Sequence, residues 1–196
     1  MRAKIDISNT EIRTERLLMR PWVEADLTDL FSYASIPGVG EMAGGHYHKA
    51  LGDSKKFLDK YIEDKICFAL YHLDDQKVIG SLELHGSWAE DDPRFAHLAV
   101  TELGTIIAQP YWGQGLGVEV AHAALHYCFD TLGLDAIACC HFVDNHQSRR
   151  VIEKCGFSFM QIDTYYSRNM DKEFLERQYI MLKEDFRLLQ EHKGQQ

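Results

Sequence analysis

Hydrophobic residues recur along the chain with two different spacings, one typical of helices and one typical of strands. Between residues 24 and 34, the apolar side chains of Leu27, Leu30, Phe31 and Ala34 follow the i, i+3, i+4, i+7 spacing of an amphipathic helix. Residues 136–142 are apolar almost without interruption, as expected for a strand that is covered on both faces. The same patterns predict strands at residues 11–19, 66–73, 77–84, 136–142, 157–166 and 174–182, and one more strand within residues 95–108, of which 101–108 is the best part. They predict helices at residues 24–34, 54–64, 115–131, 145–155 and 183–191.

The order of these elements predicts an α/β protein with a mixed, mostly antiparallel sheet of six or seven strands flanked by helices. The strands at residues 66–73 and 77–84 are separated by a short polar turn, which makes them an antiparallel hairpin. Residues 35–52 and 85–93 are expected to be loops, because glycine, proline and polar residues interrupt both spacings there. No repeat or linker divides the sequence, so residues 1–196 are expected to form one domain with a tail that frays from about residue 192.

The composition narrows the class of protein. Lys and Arg total 21 against 30 Asp and Glu, so the formal charge is −9, which argues against nucleic-acid binding. This charge suits either solubility alone or a cationic substrate. No apolar run is long enough to span a membrane, and the first residues resemble no secretory signal. The five cysteines are odd in number and form no CxxC pair, so we expect reduced thiols in a cytoplasmic protein that binds neither membranes nor nucleic acids.

The most informative segment is residues 102–117, in which a predicted strand enters a glycine-rich turn that opens a helix. Gly113, Gly115 and Gly117 let the backbone approach a ligand closely, and the start of the helix adds partial positive charge. This arrangement predicts a site for a phosphate or diphosphate group. A P-loop is excluded because the segment contains no lysine. Tight packing of the turn, without any ligand, is the structural alternative.

Four short motifs follow one another along the chain. They are Thr14-Glu15-Arg16-Leu17-Leu18-Met19-Arg20-Pro21, Trp112-Gly113-Gln114-Gly115-Leu116-Gly117, Asn145-x-x-Ser148-x-x-Val151-x-Glu153-Lys154-x-Gly156-Phe157 and Tyr179-x-Met181-Leu182-Lys183-Glu184-Asp185-Phe186. Together they resemble the GNAT superfamily of N-acetyltransferases and, within it, the Rim-type branch that includes ribosomal-protein N-alpha-acetyltransferases. The resemblance covers about residues 14–186. Many members carry a tyrosine acid seven residues after the asparagine, and Ile152 stands at that position here, so such an acid is excluded.

The resemblance implies that acetyl-CoA is the co-substrate and that the reaction needs no metal. All six residues of the second motif would bind the phosphates of the donor, and the strand near Ile106 and Ile107 would pair with its pantetheine amides. Asn145 would hydrogen-bond the pantetheine, cap the helix that follows it, or do both. Ser148 would support the departing thiolate, the alternative being that it only caps or packs its helix.

Transfer of an acetyl group to an amine also needs a base, because amines with a pKa of about 8 to 10.4 arrive mostly protonated. Glu102 stands at the start of the strand that leads to the glycine-rich turn, where the family has an acidic residue, and it is the first candidate. Glu83 on the neighbouring strand is the second. For either residue the alternative is a solvated carboxylate at a strand edge. Gly104 suggests a bulge that would expose a backbone N–H of residues 103–107 to the developing oxyanion.

Histidines and cysteines elsewhere give weaker signals. His122 and His126 have the i, i+4 spacing of a zinc site, but no third ligand follows, and we expect no metal there or at His46 and His48. Cys140 is expected to pack in the core, although it or the histidine after it could approach the thioester.

The sequence thus predicts an acetyl-CoA-dependent N-acetyltransferase that acts on a primary amine by direct attack in a ternary complex. The resemblance favours a protein N-terminal α-amine as acceptor; a polyamine, an amino-acid-like amine or an antibiotic amine is the alternative. Two other classes stay open. One is a CoA-binding protein without catalysis, and the other is a dinucleotide-binding protein with Asp144 as ribose ligand, although Val118 replaces the third glycine of that fingerprint. The branch also suggests a homodimer formed through the sheet edge or the C-terminal strands.

Overall fold

The computed structural model describes residues 3–193, and this part of the chain contains eight strands and five α-helices. The strands are β1 (Ile12–Arg13), β2 (Leu17–Pro21), β3 (Cys67–His72), β4 (Lys77–His85), β5 (Val100–Ile107), β6 (Ala136–Phe142), β7 (Ser158–Ser167) and β8 (Lys172–Leu182). The helices are α1 (Leu27–Ala34), α2 (Leu51–Asp64), α3 (Leu116–His126), α4 (His146–Cys155) and α5 (Lys183–Lys193).

The strands of the described residues belong to one sheet with the order β1-β2-β3-β4-β5-β6-β8-β7. Neighbouring strands are antiparallel except for β5 and β6, which run parallel. β6 is largely buried, as the continuous apolar run predicts. The predicted class, a mixed and mostly antiparallel sheet flanked by helices, is therefore confirmed.

The described sheet has one strand more than the highest number predicted, because residues 11–19 form a hairpin instead of a single strand. A turn at Thr14, Glu15 and Arg16 joins β1 to β2. Thr14 N donates to the Leu17 carbonyl at 2.9 Å, and Leu17 N donates to the Thr14 hydroxyl at 3.0 Å. These two hydrogen bonds reverse the chain at charged residues that already interrupt the apolar alternation.

The start of α2 also differs from the prediction. The helix begins at Leu51 and not near residue 54, and its N-cap is Ala50. The Asp53 carboxylate accepts hydrogen bonds from the backbone N–H groups of Lys49 and Ala50, at 3.0 and 3.1 Å. It thereby stabilises the turn that precedes the helix.

β5, Val100–Ile107, agrees within one residue with the best part of the predicted strand, residues 101–108. Two further boundaries moved. The C-terminal part of the predicted helix 115–131 is a π-helix, Tyr127–Thr131. α5 continues to Lys193, although the sequence predicts a frayed tail from about residue 192. Residues 194–196, the rest of that tail, lie outside the described residues.

One face of β5, β6 and β8 is covered by the segment between β4 and β5. Ala89 and Phe95 of that segment pack on Val100, Ala138 and Ile180, and all five residues are buried. Side chains point alternately to the two faces of a strand, so the next residues on this face are polar. They are Glu102 of β5, Cys140 of β6 and Gln178 of β8.

Candidate active site

β5 and β6 leave an opening in the sheet because they pair over only part of their length. The register joins residues 100–102 to residues 136–138, whereas β5 continues to Ile107 and β6 to Phe142. Beyond Glu102, no strand of the described chain pairs with β5 on this side. The backbone N–H and C=O groups of β5 that face the opening are therefore accessible to a ligand.

Two contacts show which backbone groups of β5 face the opening. A Cβ atom added to Gly80 of β4 would lie 2.2 Å from the Ile106 carbonyl oxygen, so this carbonyl points towards β4. Backbone groups alternate between the two sides of a strand, and those of the odd-numbered residues 103–107 thus point the other way. Trp112 Nε1 donates to the Ile107 carbonyl at 2.6 Å. Of the two residues predicted to pair with pantetheine, only Ile107 turns its backbone carbonyl towards the opening.

The irregular backbone of this region lies in β4 and not at Gly104. Pairing between β4 and β5 is regular from Gly80 opposite Ile107 to His85 opposite Glu102, so the predicted bulge at Gly104 is wrong. The register shifts between β3 and β4, where β4 carries one residue more than β3 near Gly80. Gly104 makes room for a neighbour, since a Cβ atom there would lie 3.2 Å from His85 Nε2.

The glycine-rich turn between β5 and α3 depends on left-handed backbone at two glycines. Gly113 and Gly115 have φ angles of 76° and 82°, and Gly115 directly precedes α3. Gly117 allows α3 and α4 to approach each other closely, since a Cβ atom there would lie 3.1 Å from Val151 of α4. The first N–H groups of α3 have no carbonyl partner within the helix, and the helix dipole adds partial positive charge. This is the geometry of an anion-binding site.

Asn145 and Ser148 lie where β6 ends and α4 begins. The side-chain carbonyl of Asn145 accepts a hydrogen bond from Ser148 N at 3.1 Å, which confirms the predicted helix cap. The side-chain amide of Asn145 donates to the Met42 carbonyl at 3.4 Å. Ser148 is partly buried in the first turn of α4. Both residues are therefore at the end of the sheet towards which β5 and β6 diverge.

Glu102 is in the last residue pair before β5 and β6 diverge, and it is buried. Only 6% of the residue is exposed. Its Oε1 accepts a hydrogen bond from Cys140 Sγ at 3.1 Å, and its Oε2 accepts one from Trp88 N at 3.4 Å. A solvated carboxylate at a strand edge is therefore the wrong description of Glu102. Glu83 is partly buried on the same face of the sheet, opposite Gly104.

Sequence reasoning missed a set of polar side chains that continues from Glu102 across three more strands, here called the polar row. The Cys140 thiol on β6 interacts with the carboxylates of both Glu102 and Glu176. Gln178 Nε2 donates to Glu176 Oε1 at 2.8 Å, and Gln161 Nε2 of β7 donates to Gln178 Oε1 at 2.9 Å. The alternation in β8 predicts that Glu176 and Gln178 share a face, but it does not reveal the strand beside them.

The polar row contains two buried carboxylates without a cationic partner. Glu176 is 7% exposed, and no Lys, Arg or His of the described residues forms an ion pair with it or with Glu102. Burial raises the pKa of Glu176 and the charge of Glu102 adds to this, although hydrogen bonds from Gln178 and Cys140 oppose it. Burial and both carboxylates raise the pKa of the Cys140 thiol well above its usual value. Cys140 therefore keeps its proton, and a cationic ligand would relieve the repulsion between the carboxylates.

The predicted loop before α2 covers the ends of β6 and β7. A Cβ atom at Gly44 would lie 3.2 Å from Tyr165 Cε1 and 3.3 Å from Phe142 Cζ. Ser167 Oγ donates to the Gly44 carbonyl at 2.7 Å. This loop therefore covers the same end of the sheet at which Asn145 lies.

Two of the histidines that the sequence singled out are held by neighbouring side chains. His48 Nδ1 lies 2.7 Å from the Ser54 hydroxyl, and His126 Nδ1 lies 2.9 Å from Asp130 Oδ2. His141 is buried on the face of β6 opposite to the polar row. The described residues contain no group of three or more His, Cys, Asp or Glu side chains that could hold a metal ion. No helix within residues 3–193 has the length and apolar character needed to cross a membrane.

A family model and several known proteins are similar to this chain. The model, described as an acetyltransferase (GNAT) domain, matches residues 16–158. The uncharacterized N-acetyltransferase YoaA of Bacillus subtilis is 27% identical over 151 residues, which are 74% of this chain and 81% of that protein. A GNAT-family acetyltransferase structure from Bacillus anthracis has a TM-score of 0.76 and 23% identity, over 89% of this chain and 99% of that one. A spermidine N-acetyltransferase from Vibrio cholerae, solved with CoA and spermine, has a TM-score of 0.69 and 18% identity, over 87% and 98% of the two chains.

Proposed function

Because the family model covers most of the chain, the protein belongs to the GNAT acetyltransferase family, and we propose that it moves the acetyl group of acetyl-CoA to a primary amine by direct attack in a ternary complex. The observation that carries this proposal is the opening between β5 and β6, with the glycine-rich turn at one end and buried Glu102 at the other. Family membership decides against the dinucleotide-binding alternative.

The residues around the opening fit acetyl-CoA. The N–H groups of the glycine-rich turn from Gly113 to Gly117 suit its phosphates, and the backbone groups of β5 that face the opening, up to the Ile107 N–H, suit its pantetheine amides. Asn145 keeps donor capacity in its side-chain amide, whose contact to Met42 is long. When bound, acetyl-CoA supplies the thioester carbonyl that the amine attacks. The proposal includes no metal.

Glu102 is the proposed base. An acceptor amine arrives protonated, and the Glu102 carboxylate would take that proton directly or through a water molecule before attack. Cys140 would not compete as a nucleophile, because its raised pKa keeps it in the thiol form beside Glu102 and Glu176. Glu83 stays the second candidate, since it lies on the same face one strand away.

Ser148 is proposed to support the departing CoA thiolate, since the position of the family's tyrosine acid is occupied by buried Ile152. Ser148→Ala is expected to lower kcat and kcat/KM together while the Kd for acetyl-CoA stays within about threefold, because the contact acts on the leaving group and not on ground-state binding. Stopped assays of CoA release and calorimetry measure the two quantities. Ser158→Ala, at an exposed position of β7, is the control. Normal turnover of Ser148→Ala would leave Ser148 as a residue of the helix only.

A protein N-terminal α-amine is the proposed acceptor, on the resemblance to the Rim-type branch, and a small amine is the alternative. The two unpaired carboxylates of the polar row and the formal charge of −9 support an acceptor that arrives as a cation. Both acceptors meet this condition. A spermidine N-acetyltransferase shares the fold, so the fold is compatible with the small-amine alternative too.

A panel of amines assayed for CoA release tests this function. Peptides that differ only in a free or blocked α-amine represent the first acceptor, and polyamines and amino-acid amides represent the second. Release with unblocked peptides alone would support the first acceptor, and release with polyamines alone would support the alternative. Binding of acetyl-CoA without release in the presence of any amine would contradict the proposed function.

We also propose that residues 1–196 act as one domain and that the protein is a cytoplasmic homodimer. The edge strand β7 is the proposed contact, since it pairs on one side only within the described chain. Light scattering at micromolar concentration measures the mass, and the mass of a single chain would contradict the dimer.

A further inference from the structure

The turn between β1 and β2 is joined to the start of α3 by a group of hydrogen bonds. Glu119, in the first turn of α3, accepts from the Thr14 hydroxyl at 2.6 Å and from Arg16 N at 2.9 Å through Oε1. Its Oε2 accepts hydrogen bonds from Arg16 Nε and Arg16 Nη2, each at 2.7 Å. Both guanidinium nitrogens thus reach one carboxylate oxygen while Thr14 and the Arg16 backbone hold the other, so the Glu119 carboxylate has a fixed position.

The same guanidinium reaches the glycine-rich turn itself. Arg16 Nη1 donates to the Gln114 carbonyl at 2.8 Å, and Gln114 Nε2 donates to the Pro110 carbonyl at 3.0 Å. A Cβ atom at Gly115 would lie 3.8 Å from Arg16 Nη2. Arg16 therefore fixes the peptide that joins Gln114 to Gly115, the residue whose left-handed backbone starts α3.

The charges in this contact suit a turn that binds an anion. Glu119 alone would place a negative charge within one turn of the helix start, where it competes with a phosphate for the same positive end. Burial would raise the pKa of Glu119, but hydrogen bonds from Thr14 and Arg16 outweigh it, so the pKa lies below its usual value and the carboxylate stays ionised. Arg16 pairs with that charge and is still 36% exposed beside the turn.

The turn itself supplies no guanidinium at its first position. Trp112 occupies that position, and its indole N–H is bonded to the Ile107 carbonyl. Arg16 brings a positive charge to the turn from a hairpin that is about a hundred residues away in sequence. Neither residue of the Arg16–Glu119 pair was among the site residues predicted from the sequence.

We propose that Arg16, held by Glu119 and Thr14, is a positioning residue that sets the glycine-rich turn in the conformation that binds the diphosphate of the donor. This proposal rests on the proposed function, because it takes acetyl-CoA as the ligand of the turn. The effect of Arg16 on binding is confined to the phosphate-bearing part of CoA. The pantetheine arm, which the proposed function assigns to β5, does not depend on it.

Calorimetry with two probes, CoA and pantetheine, separates this role from a general loss of structure. Arg16→Lys keeps the charge but cannot bridge Glu119 and the Gln114 carbonyl together. We expect it to weaken CoA binding by about tenfold to a hundredfold, the effect of losing a hydrogen bond to a charged group, and to change pantetheine binding less than twofold. Unchanged CoA binding, or equal weakening of both probes, would overturn the proposal.

Arg20→Lys is the matched control. Arg20 of β2 binds the Asp26 carboxylate through Nη1 and Nη2, each at 2.8 Å, and its other contacts are with the Pro21 carbonyl and the Tyr71 ring, away from α3 and the glycine-rich turn. Its replacement should lower the melting temperature without changing the ratio of CoA to pantetheine affinity. A change of that ratio in Arg20→Lys comparable to the change in Arg16→Lys would mean that the effect of Arg16 is structural only.

Glu119→Ala provides a second variant if Arg16→Lys does not fold. Electrostatic repulsion alone predicts tighter CoA binding after loss of this carboxylate, whereas the positioning role predicts weaker binding because Arg16 is released from Glu119. Tighter or unchanged binding would therefore overturn the proposal. Failure of the proposed function is distinguishable, since it would appear as CoA binding by the wild type without CoA release in the presence of any amine.

Discussion

Glu102 combines burial with hydrogen bonds from two neutral donors, the Cys140 thiol and the Trp88 amide. Neither donor is a cation, so a protonated amine would bring the first positive charge into contact with this carboxylate. The surroundings of Glu102 thus fit the role proposed for it.

Glu102→Gln is expected to lower kcat/KM by about 10²–10⁴-fold at neutral pH, the usual contribution of a general base. Part of the loss should return at higher pH, because more of the amine is then neutral without help. CoA release measured across the pH range provides the profile, and Glu173→Gln, an exposed carboxylate of β8, is the control. A normal rate of Glu102→Gln at every pH would transfer the role to Glu83.

Glu176→Gln is expected to stabilise the protein at neutral pH. The pKa of Glu176 is raised in the folded state, so the folded protein binds this proton more tightly than the unfolded chain does. The contribution of Glu176 to stability is therefore present below its unfolded pKa of about 4.3 and is lost as pH rises through the folded pKa. Glutamine avoids this ionisation and still accepts the hydrogen bond from Gln178.

Thermal unfolding of wild type and Glu176→Gln at neutral and acidic pH measures this difference. The gain should be present at neutral pH and disappear in acid, and exposed Glu173→Gln should show no such dependence on pH. A loss of stability at neutral pH would mean that the fold requires the ionised form of Glu176.

Single residues were predictable where a local pattern determined their position. Asn145 caps α4 as predicted, because a cap depends only on the next three residues. Glu102 was selected from its place before the glycine-rich turn, and it occupies the start of the opening. Its contact with Cys140, and the link from there to Glu176, were not predictable, because they depend on which distant strands become neighbours in the sheet.

Gly80 determines how closely β4 and β5 approach at the end of the opening. A Cβ atom there would lie 2.2 Å from the Ile106 carbonyl oxygen, a distance that real Cβ contacts do not reach. The obstacle is backbone and not a flexible side chain, so relief requires a shift of β5. Gly80 thereby couples the bulge of β4 to the strand that borders the opening.

Gly80→Ala is expected to destabilise the protein by about 1–3 kcal/mol, the usual cost of an overpacked position. Gly52→Ala is the matched control, because Gly52 lies in α2 and a Cβ atom there meets nothing within 4 Å. In a helix this change should stabilise by about 0.5–1 kcal/mol. Denaturant unfolding measures both, and equal stability of Gly80→Ala and wild type would show that β5 shifts without cost.

Helices and long strands were predictable because each follows one period over many residues. The split of residues 11–19 into two strands was not, since the partial alternation of that segment conceals a turn that Thr14 stabilises. The sequence predicts a bulge at Gly104, but the bulge lies near Gly80. A glycine within a strand can mark either a bulge or the close approach of a neighbouring group, and the sequence does not distinguish the two. The sequence contains both glycines and cannot rank them without the register.

The whole sheet consists of two antiparallel sections, β1 to β5 and β6 to β8, in the described residues. Three residue pairs between β5 and β6 join the sections along the sheet. α3 follows β5 and α4 follows β6, and these helices pack on each other through Gly117 and Val151. The opening is therefore bordered by elements from both sections, and a ligand within it contacts each of them.

The short junction between the sections also divides the amides of β5 into two kinds. The N–H groups of Gly104 and Ile106 face β4, whereas those of Thr105 and Ile107 face the opening. Hydrogen–deuterium exchange followed by NMR should therefore be fast at Thr105 and Ile107 and slow at Gly104 and Ile106 in the free protein. Addition of CoA should slow exchange at Thr105 and Ile107 alone, whereas equal protection of all four amides would contradict the direction assigned to them. Alternate residues of one strand would then report whether the opening is filled, without any reaction taking place.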